Sequence, residues 1–148
     1  MKKYLLIISC SKKKKKINSK LKAIELYDGV IFRTIKKTIS ESQISKLLDI
    51  LIISAKYGLI KSTDKIRYYD EMMNENKVKL LKPQVTKRIQ ETLKNNYDEI
   101  FINLGKNYIL LVKDIEKFIN SNSRIIYASG KIGKRLKQTK NWLLKLSG

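Results

Sequence analysis

The chain has 148 residues, and its 33 lysines and arginines against 13 aspartates and glutamates give a formal net charge of +20 at pH 7. This length fits one domain with a sizeable core, and a hydrophobic content of 43% excludes a disordered chain. The charge predicts an anionic partner, with nucleic acid first and an anionic membrane surface second, although A+T-rich coding would explain part of the lysine content without any partner.

The absence of histidine and the presence of a single cysteine, Cys10, limit the possible chemistry. Histidine bases, histidine metal ligands, ordinary zinc sites and an intramolecular disulfide are all excluded. The first apolar run, Tyr4 to Ile8, is too short for a signal-peptide core, and no stretch reaches the length of a membrane span. We therefore expect a cytoplasmic protein with no membrane attachment, no metal and no cofactor.

The first half of the chain alternates apolar runs with helical patterns. Tyr4–Ser9 is typical of a buried parallel strand, and the loop after it carries five consecutive lysines, Lys12 to Lys16. Helical spacing then covers residues 21–39, with a break at Gly29, and a shorter helix is predicted at residues 44–48. A second buried strand is predicted at Asp49–Ser54.

The second half continues the alternation after a long segment, residues 55–73, that lacks clear periodicity and is typical of a functional loop. A helix is predicted from Val78 to Leu93, with a break or restart at Pro83, and strands at Glu99–Leu104 and Arg124–Ser129. The helix between those strands should bury Leu111, Ile115 and Phe118. The last helix should bury Ile132, Leu136, Leu143 and Leu146 and expose Lys134, Arg135, Lys137 and Lys140.

Strands that alternate with helices predict right-handed crossovers and a mostly parallel sheet covered on both faces. No linker or internal repeat divides the sequence. We therefore expect a single three-layer α/β domain over residues 1–148, Rossmann-like, with four strands or slightly more in its sheet.

Each predicted strand ends in a small residue followed at once by a lysine: Ser11-Lys12, Ala55-Lys56, Gly105-Lys106 and Gly130-Lys131. Ligands of open α/β sheets bind outside the carboxyl ends of the strands, where small residues allow close approach and lysine supplies positive charge. In so basic a chain, coincidence is the competing explanation. The pattern still favours an anion-binding cleft at these strand ends.

The first loop is the sharpest candidate, because Ser9, Cys10, Ser11, Lys12 and Lys13 could hold a phosphate or the edge of a base. It is not a Walker A loop, since the required glycine pattern does not occur. Cys10 is a candidate nucleophile, but thiolate chemistry needs a positioned base, and histidine is absent. We favour a packed or ligand-contacting cysteine.

The second loop adds Ser54, Lys56, Tyr57 and Gly58 to the candidate binding residues, together with Tyr69. Tyrosines at positions 57, 68 and 69 could stack on bases, as in the recognition of single-stranded or flipped bases. Packing in the core or at its rim is an equal alternative for each tyrosine.

The third and fourth strand ends contribute Lys106, Lys131, Lys134 and Arg135 as further candidates for anion binding. Backbone amides at the start of the last helix could add to a phosphate site, although glycine at such a junction often reflects turn geometry alone. The basic face of that helix could follow a phosphate backbone or simply be solvated.

Asp70 is the candidate catalytic carboxylate, and Asp64 and Glu71 are its acidic neighbours in sequence. A carboxylate at the cleft could act as a general base or position a water molecule. The alternative, which we favour, is that these acids pair with Lys56, Lys65 or Arg67.

Together these strings resemble an uncharacterised domain family of bacteria, archaea and their viruses. Its pattern has a first strand ending Ser-Cys-Ser/Gly-x-Lys-Lys, a Leu-Tyr-x4-Phe-Arg segment, a second strand running into Ser-Ala-Lys-Tyr/His-Gly-Leu, and a Tyr-Asp pair. The matching residues are Ser9–Lys13, Leu26-Tyr27 with Phe32-Arg33, Ser54–Leu59, and Tyr69-Asp70. The family usually has a proline-containing turn after Gly-Leu, and Lys61-Ser62-Thr63 departs from it.

Two more distant likenesses imply a class of function. The stretch from Tyr57 to Met72 is similar to a segment of the peroxide-stress protein YaaA, a DNA-binding family. The first loop is similar to the glycosylase-like domain of archaeosine synthase, which modifies tRNA. Uracil-DNA glycosylases rely on a catalytic histidine that this chain lacks, so the second likeness implies a glycosylase-like architecture rather than that chemistry.

Three hypotheses for the function follow. The first is a nucleic-acid-binding domain whose cleft recognises a phosphate or a nucleobase of DNA or RNA. The second is an enzyme of base modification, acting by glycosidic bond cleavage or base exchange, with Asp70 as the carboxylate and Cys10 or Ser11 positioning the substrate. The third is an accessory protein that binds an acidic protein partner. The sequence does not predict the oligomeric state.

Overall fold

Seven strands and five helices make up this computed structural model, which describes residues 2–147. Met1 and Gly148, the ends of the predicted domain, lie outside the described residues. The strands are β1 (Tyr4–Ser9), β2 (Leu21–Lys22), β3 (Leu48–Ser54), β4 (Gly58–Lys61), β5 (Lys65–Ile66), β6 (Glu99–Asn103) and β7 (Arg124–Tyr127). The helices are α1 (Ala23–Leu26), α2 (Val30–Glu41), α3 (Glu75–Thr92), α4 (Lys106–Ile109) and α5 (Ile132–Leu146), with 3-10 turns at Leu110–Val112 and Ile115–Lys117.

The central sheet has five strands in the order β4-β3-β1-β6-β7, and β2 pairs with β5 in a separate small ladder. The pairs β1–β3, β1–β6 and β6–β7 are parallel, and only β4 runs antiparallel to its neighbour. The four parallel strands therefore end on one side of the sheet, which we call the carboxyl edge. The sequence predicts this arrangement correctly, apart from the antiparallel fifth strand.

Alternating side chains of β1 anchor the two outer layers of the fold. Leu6 and Ile8 belong to a buried cluster that also contains Phe32 of α2 and Trp142 of α5. Leu5 and Ile7 belong to the opposite cluster, with the buried residues of α3 and of the two 3-10 turns. Helices thus cover both faces of the sheet, which confirms the predicted α/β class.

The connections reverse direction between β1 and β6. The chain passes from β1 to β3 on one side, and from β6 to β7 on the other, although β1 and β6 are neighbours in the sheet. Such a point opens a crevice between two adjacent strands at their carboxyl ends, and it is where ligands of open α/β sheets bind. Cys10 follows β1 and Gly105 follows β6, so both lie at this crevice.

Two predicted elements in the first half of the chain differ from the structure. Residues 44–48 form a turn closed by the Leu47 amide and the Ile44 carbonyl at 2.9 Å, because β3 already begins at Leu48 and leaves no room for a helix. The segment 55–73 is not irregular throughout, since it contains β4 and β5. The β4 strand escaped prediction because Gly58-Leu59-Ile60-Lys61 is too short to show a period.

Helices of the second half also differ in detail. The predicted break at Pro83 is wrong: α3 runs without interruption from Glu75 to Thr92, with Pro83 exposed inside it. The helix after β6 is a single turn followed by 3-10 turns. Ile132 is 77% exposed rather than buried, because α5 packs on the sheet mainly through Thr139, Trp142 and Leu143.

None of the described helices combines the length and the apolar character that crossing a membrane requires.

Candidate functional site

The first and second loops of the predicted cleft lie side by side at the carboxyl edge. Ser9 at the end of β1 is in register with Ile53 of β3, and the Cys10 amide donates to the Ile53 carbonyl at 2.9 Å. Parallel pairing therefore brings Ser9, Cys10 and Ser54 together, as the sequence predicts.

Four tyrosines from four segments surround this junction, and we call Tyr27, Tyr57, Tyr69 and Tyr108 the tyrosine cluster. Tyr69 is at its centre: its ring makes edge contacts with Tyr27 and Tyr57 at centroid distances of 6.3 and 5.6 Å. The hydroxyls of Tyr27 and Tyr69 are 2.6 Å apart, and both side chains are buried. Tyr69 is only 4% exposed, so its ring face is not available to stack on a base.

Ser54 is completely buried, and its hydroxyl group is fully engaged within the protein. It donates to the Tyr69 hydroxyl at 2.9 Å and accepts from the backbone amides of Lys56 and Tyr57 at 3.1 and 3.0 Å. Ser54 therefore shapes the turn after β3 instead of facing a ligand. That turn leaves Lys56 exposed at the rim of the cleft and Tyr57 half-buried.

Cys10 is half-buried and spans the crevice between β1 and β6. Its Sγ lies 3.2 Å from the hydroxyl of Tyr108 on α4, and either group could donate. No cluster of three or more potential metal ligands occurs among residues 2–147. The surroundings of Cys10 provide phenols rather than a basic partner, which fits a packed or ligand-contacting thiol.

Three phenols of the cluster have a raised pKa. Burial raises the pKa of Tyr27, Tyr69 and Tyr108, and the neighbouring Cys10 adds to the increase in each case. Tyr27 and Tyr69 are buried and hydrogen-bonded to each other, so among these three phenols only the half-buried Tyr108 can also meet a ligand. The groups that can face a ligand beneath the positively charged rim are therefore the half-buried Cys10, Tyr57 and Tyr108.

The lysine loop after β1 is anchored to the cluster. The Ser11 hydroxyl donates to the Lys13 carbonyl at 2.7 Å and accepts from the Gly29 amide at 3.3 Å, so it holds the loop in place. Lys14 is half-buried, with its ammonium 4.6 Å from the centre of the Tyr69 ring. Lys12 and Lys13, in contrast, are exposed and available to an anion.

Side chains of α3 hold the second loop through its backbone, a feature that the sequence analysis missed. Lys77, Gln84 and Arg88 donate to the carbonyls of Ala55, Tyr57 and Leu59 in turn. Gln84 also accepts from the Leu59 amide at 3.1 Å.

Gly58 has a structural reason to be glycine. Its φ is +71°, in the left-handed region, and a Cβ there would overlap the Gln84 carboxamide. Gly58 is therefore at the predicted site because the turn requires its backbone conformation. This role does not require Gly58 to contact a ligand.

The predicted acidic residues separate into different roles. Asp64 accepts from the Lys61 amide at 2.9 Å within a turn, and Glu71 pairs with Lys77 at 3.3 Å. Asp70 is exposed, and no hydrogen bond or ion pair to it occurs among residues 2–147. The expected pairs with Lys56, Lys65 or Arg67 therefore do not form in this part of the chain.

Asp28 is the carboxylate nearest the first loop, and the sequence analysis missed it. Its amide donates to the Lys13 carbonyl at 2.9 Å, and its carboxylate forms two hydrogen bonds with Arg33, at 3.1 and 3.0 Å. These bonds from Arg33 lower the pKa of Asp28. The Asp28 amide therefore holds the loop, and its carboxylate, paired with Arg33, is a poor general base.

The third and fourth strand ends form the periphery of the cleft. Lys106 begins α4 and Lys131 precedes α5, and both side chains are exposed, as is that of Lys134. Arg135 is half-buried and donates to the Asn103 side chain at 2.7 Å and to the Gly130 carbonyl at 3.2 Å. Arg135 therefore joins α5 to the end of β6 and is less available to a ligand than predicted.

A groove of about 600 Å³ lies away from the carboxyl edge, between β3, β4 and the end of α3. Asp49, Arg88, Glu91 and Tyr97 are among its lining residues. Asp49 accepts from Tyr97 at 2.7 Å and pairs with Lys3 at 3.4 Å, so its charge is already compensated. We place the candidate site at the carboxyl edge, because the sequence motifs lie there and because the direction of the chain connections reverses there, between β1 and β6.

Comparison with known proteins bears on the fold. The crystal structure of AF0587, a protein of unknown function, matches 96% of this chain with a TM-score of 0.54 and 11% sequence identity, and this chain covers 44% of that one. A likeness at this identity concerns the fold alone. No curated protein matches the chain. In line with the expectation of an uncharacterised family, a family model matches residues 5–141, and the chain belongs to the Family of unknown function (DUF6884).

Proposed function

We propose that the protein binds nucleic acid at the carboxyl edge, with the half-buried Cys10, Tyr57 and Tyr108 as the floor of the site. One observation carries the proposal: exposed lysines follow the ends of all four parallel strands around a floor of half-buried polar side chains. The cationic rim suits a phosphate backbone, and the floor suits a phosphate oxygen or the edge of a base. The predicted likenesses to YaaA and to the glycosylase-like domain of archaeosine synthase point to the same class of partner.

The lysines of this edge carry uncompensated charge. No ion pair between described side chains involves them, whereas six other ion pairs form elsewhere in residues 2–147. These rim lysines are Lys12, Lys13, Lys56, Lys106, Lys131 and Lys134. Their position around one cleft supports a phosphate-binding surface, because an anion bound there relieves their mutual repulsion.

The test is the salt dependence of binding to single-stranded and duplex DNA and RNA, measured by fluorescence anisotropy. Neutralised phosphates release counterions, so the logarithm of the affinity should fall with the logarithm of salt by about 0.7 to 0.9 for each contact. A rim that makes about four phosphate contacts predicts a slope near −3. Absent binding, or binding insensitive to salt, would contradict the proposal.

An enzyme of base modification is the second candidate, and one observation favours it. Asp70 is exposed and follows Tyr69 directly, so a carboxylate without a partner among the described residues is adjacent in sequence to the buried tyrosine cluster. Mass spectrometry of nucleosides after incubation with nucleic acid tests this role. A modified nucleoside that disappears with Asp70→Asn is expected, and an unchanged profile in that variant removes Asp70 from the mechanism.

A further inference from the structure

The two edge strands of the central sheet are β4 and β7. They differ in whether other groups of the protein bind the backbone amides and carbonyls that point away from the sheet. The Ser62 amide donates to the Ile50 carbonyl of β3 at 2.9 Å, so Ile60, two residues earlier, also faces β3, and Leu59 and Lys61 point their amides and carbonyls away from it. Gln84 and Arg88 bind both groups of Leu59, and Asp64 binds both groups of Lys61 through its side chain and its amide. Every outward group of this edge is therefore occupied.

On the opposite edge, Gln138 binds the amide and the carbonyl of Ser129, two residues beyond the end of β7, but the strand itself has no such protection. The Arg124 amide donates to Asp98 and the Ala128 amide donates to Ile102, so alternate residues of β7 face β6. Ile125 and Tyr127 consequently point their amides and carbonyls outward. Among residues 2–147, no hydrogen bond to these outward groups is found.

An open edge of this kind is a template for another strand, which natural proteins usually block. The chain blocks β4 with three dedicated side chains and leaves β7 open. Shortness alone does not explain the difference, since both strands have four residues. We propose that β7 accepts an extended acidic segment of a partner protein as a sixth strand of the sheet.

The charge distribution selects an acidic segment over a second copy of the chain. Two copies would each bring a formal charge of +20 to the contact and repel each other. Arg124 on β7 is exposed, as are Lys131 and Lys134 beyond its carboxyl end, and no ion pair to these three occurs among the described residues. Glu116 accepts from the Tyr127 hydroxyl at 3.3 Å, so the acidic groups of the segment should lie toward the two ends of β7.

Strand addition draws most of its affinity from main-chain hydrogen bonds, which makes a generic peptide a fair probe. The probe is a peptide of about eight alternating glutamates and valines, and a lysine–valine peptide of the same length is its control. The variant Tyr127→Pro removes the outward backbone amide together with the phenol side chain. Its control, Tyr127→Val, also removes the phenol but keeps the amide. The readouts are peptide affinity and the hydrogen exchange of the Ile125 and Tyr127 amides.

The acidic peptide should slow exchange of both amides and bind Tyr127→Val about as well as the native chain. Tyr127→Pro should weaken binding about tenfold or more, and the lysine peptide should not bind. Unchanged exchange at millimolar peptide, or equal binding by the two variants, would overturn the proposal. The proposal would also be overturned if the native chain formed a dimer by itself and Tyr127→Pro abolished that dimer. The strand that pairs with β7 would then come from a second copy of the chain. None of these outcomes depends on nucleic-acid binding.

Discussion

Ser54 and Tyr69 illustrate how a motif residue can belong to a site without touching a ligand. Both were predicted as binding residues, and both lie at the carboxyl edge, yet their hydroxyls bond to each other at 2.9 Å in the protein interior. The sequence predicts their location because strand ends converge in a parallel sheet. It could not predict that they are buried, because the Tyr27 and Tyr108 side chains that complete the cluster come from distant segments; Cys10 and Tyr108 are 98 residues apart.

Removing the Tyr69 hydroxyl should destabilise the protein. In Tyr69→Phe, the buried hydroxyls of Ser54 and Tyr27 each lose their hydrogen bond to Tyr69. This loss should lower the free energy of unfolding by about 2 kcal/mol. Urea denaturation measures the change in the free energy of unfolding. Tyr68→Phe is the matched control, because no hydrogen bond to the half-buried Tyr68 side chain is found among the described residues, and it should change stability by less than about 0.5 kcal/mol.

The buried phenols also predict an alkaline loss of stability. Burial raises the pKa of Tyr27 and Tyr69, so above pH 10 the unfolded chain releases phenolic protons that the folded chain retains. The unfolded state then binds fewer protons, and the free energy of unfolding falls as pH rises. Below pH 10 the contribution is fully present. Denaturation at a series of pH values should show a shallower fall in Tyr69→Phe than in the native chain, and equal slopes would contradict this assignment.

At the scale of elements, the four parallel strands and the three long helices were predicted better than the short strands and turns between them. Continuous apolar runs identify β1, β3 and β6, because strands buried on both faces need them. The turn of Ser54–Leu59 is different, because its shape depends on Gln84 and Arg88 of α3, which contact it across the fold. A local string can mark such a turn as special, as Gly58 does, but cannot identify the helix that holds it.

Two glycine substitutions should have opposite effects on stability. Gly58→Ala places a Cβ against Gln84 at a φ of +71° and should cost about 1–3 kcal/mol. Gly133 lies within α5, where a Cβ meets nothing within 4 Å, so Gly133→Ala should stabilise the protein by about 0.5 kcal/mol. Thermal or urea denaturation of both variants tests the pair. Equal effects would show that the turn is not held by α3 as described.

At the scale of the whole molecule, the α/β class and the parallel order follow from the alternation of strands and helices. The five strands of the sheet agree with the expected four or slightly more, but β4 itself was not identified, because it is short and runs antiparallel. The net charge of +20 follows from composition, but its effect depends on placement. The fold places exposed lysines both at the carboxyl edge and at the opposite, amino ends of the parallel strands. The effect of total charge on binding can therefore be separated from the effect of the lysines at the carboxyl edge.

A comparison of two charge-matched triple variants tests most directly whether the carboxyl edge binds nucleic acid. One variant changes Lys12, Lys56 and Lys106 to glutamine at the carboxyl edge. The other variant changes Lys2, Lys46 and Lys94 to glutamine. These lysines are exposed and precede β1, β3 and β6, at the amino ends of the parallel strands. Both lose the same net charge.

The affinity of each variant for a single-stranded oligonucleotide of about 20 nucleotides is measured over a range of salt concentrations. The carboxyl-edge triple should weaken binding about tenfold or more and flatten the salt slope by about 2, because three phosphate contacts are lost. The opposite triple should change affinity less than about threefold. Equal losses in the two variants would contradict a site at the carboxyl edge and reduce the interaction to overall charge.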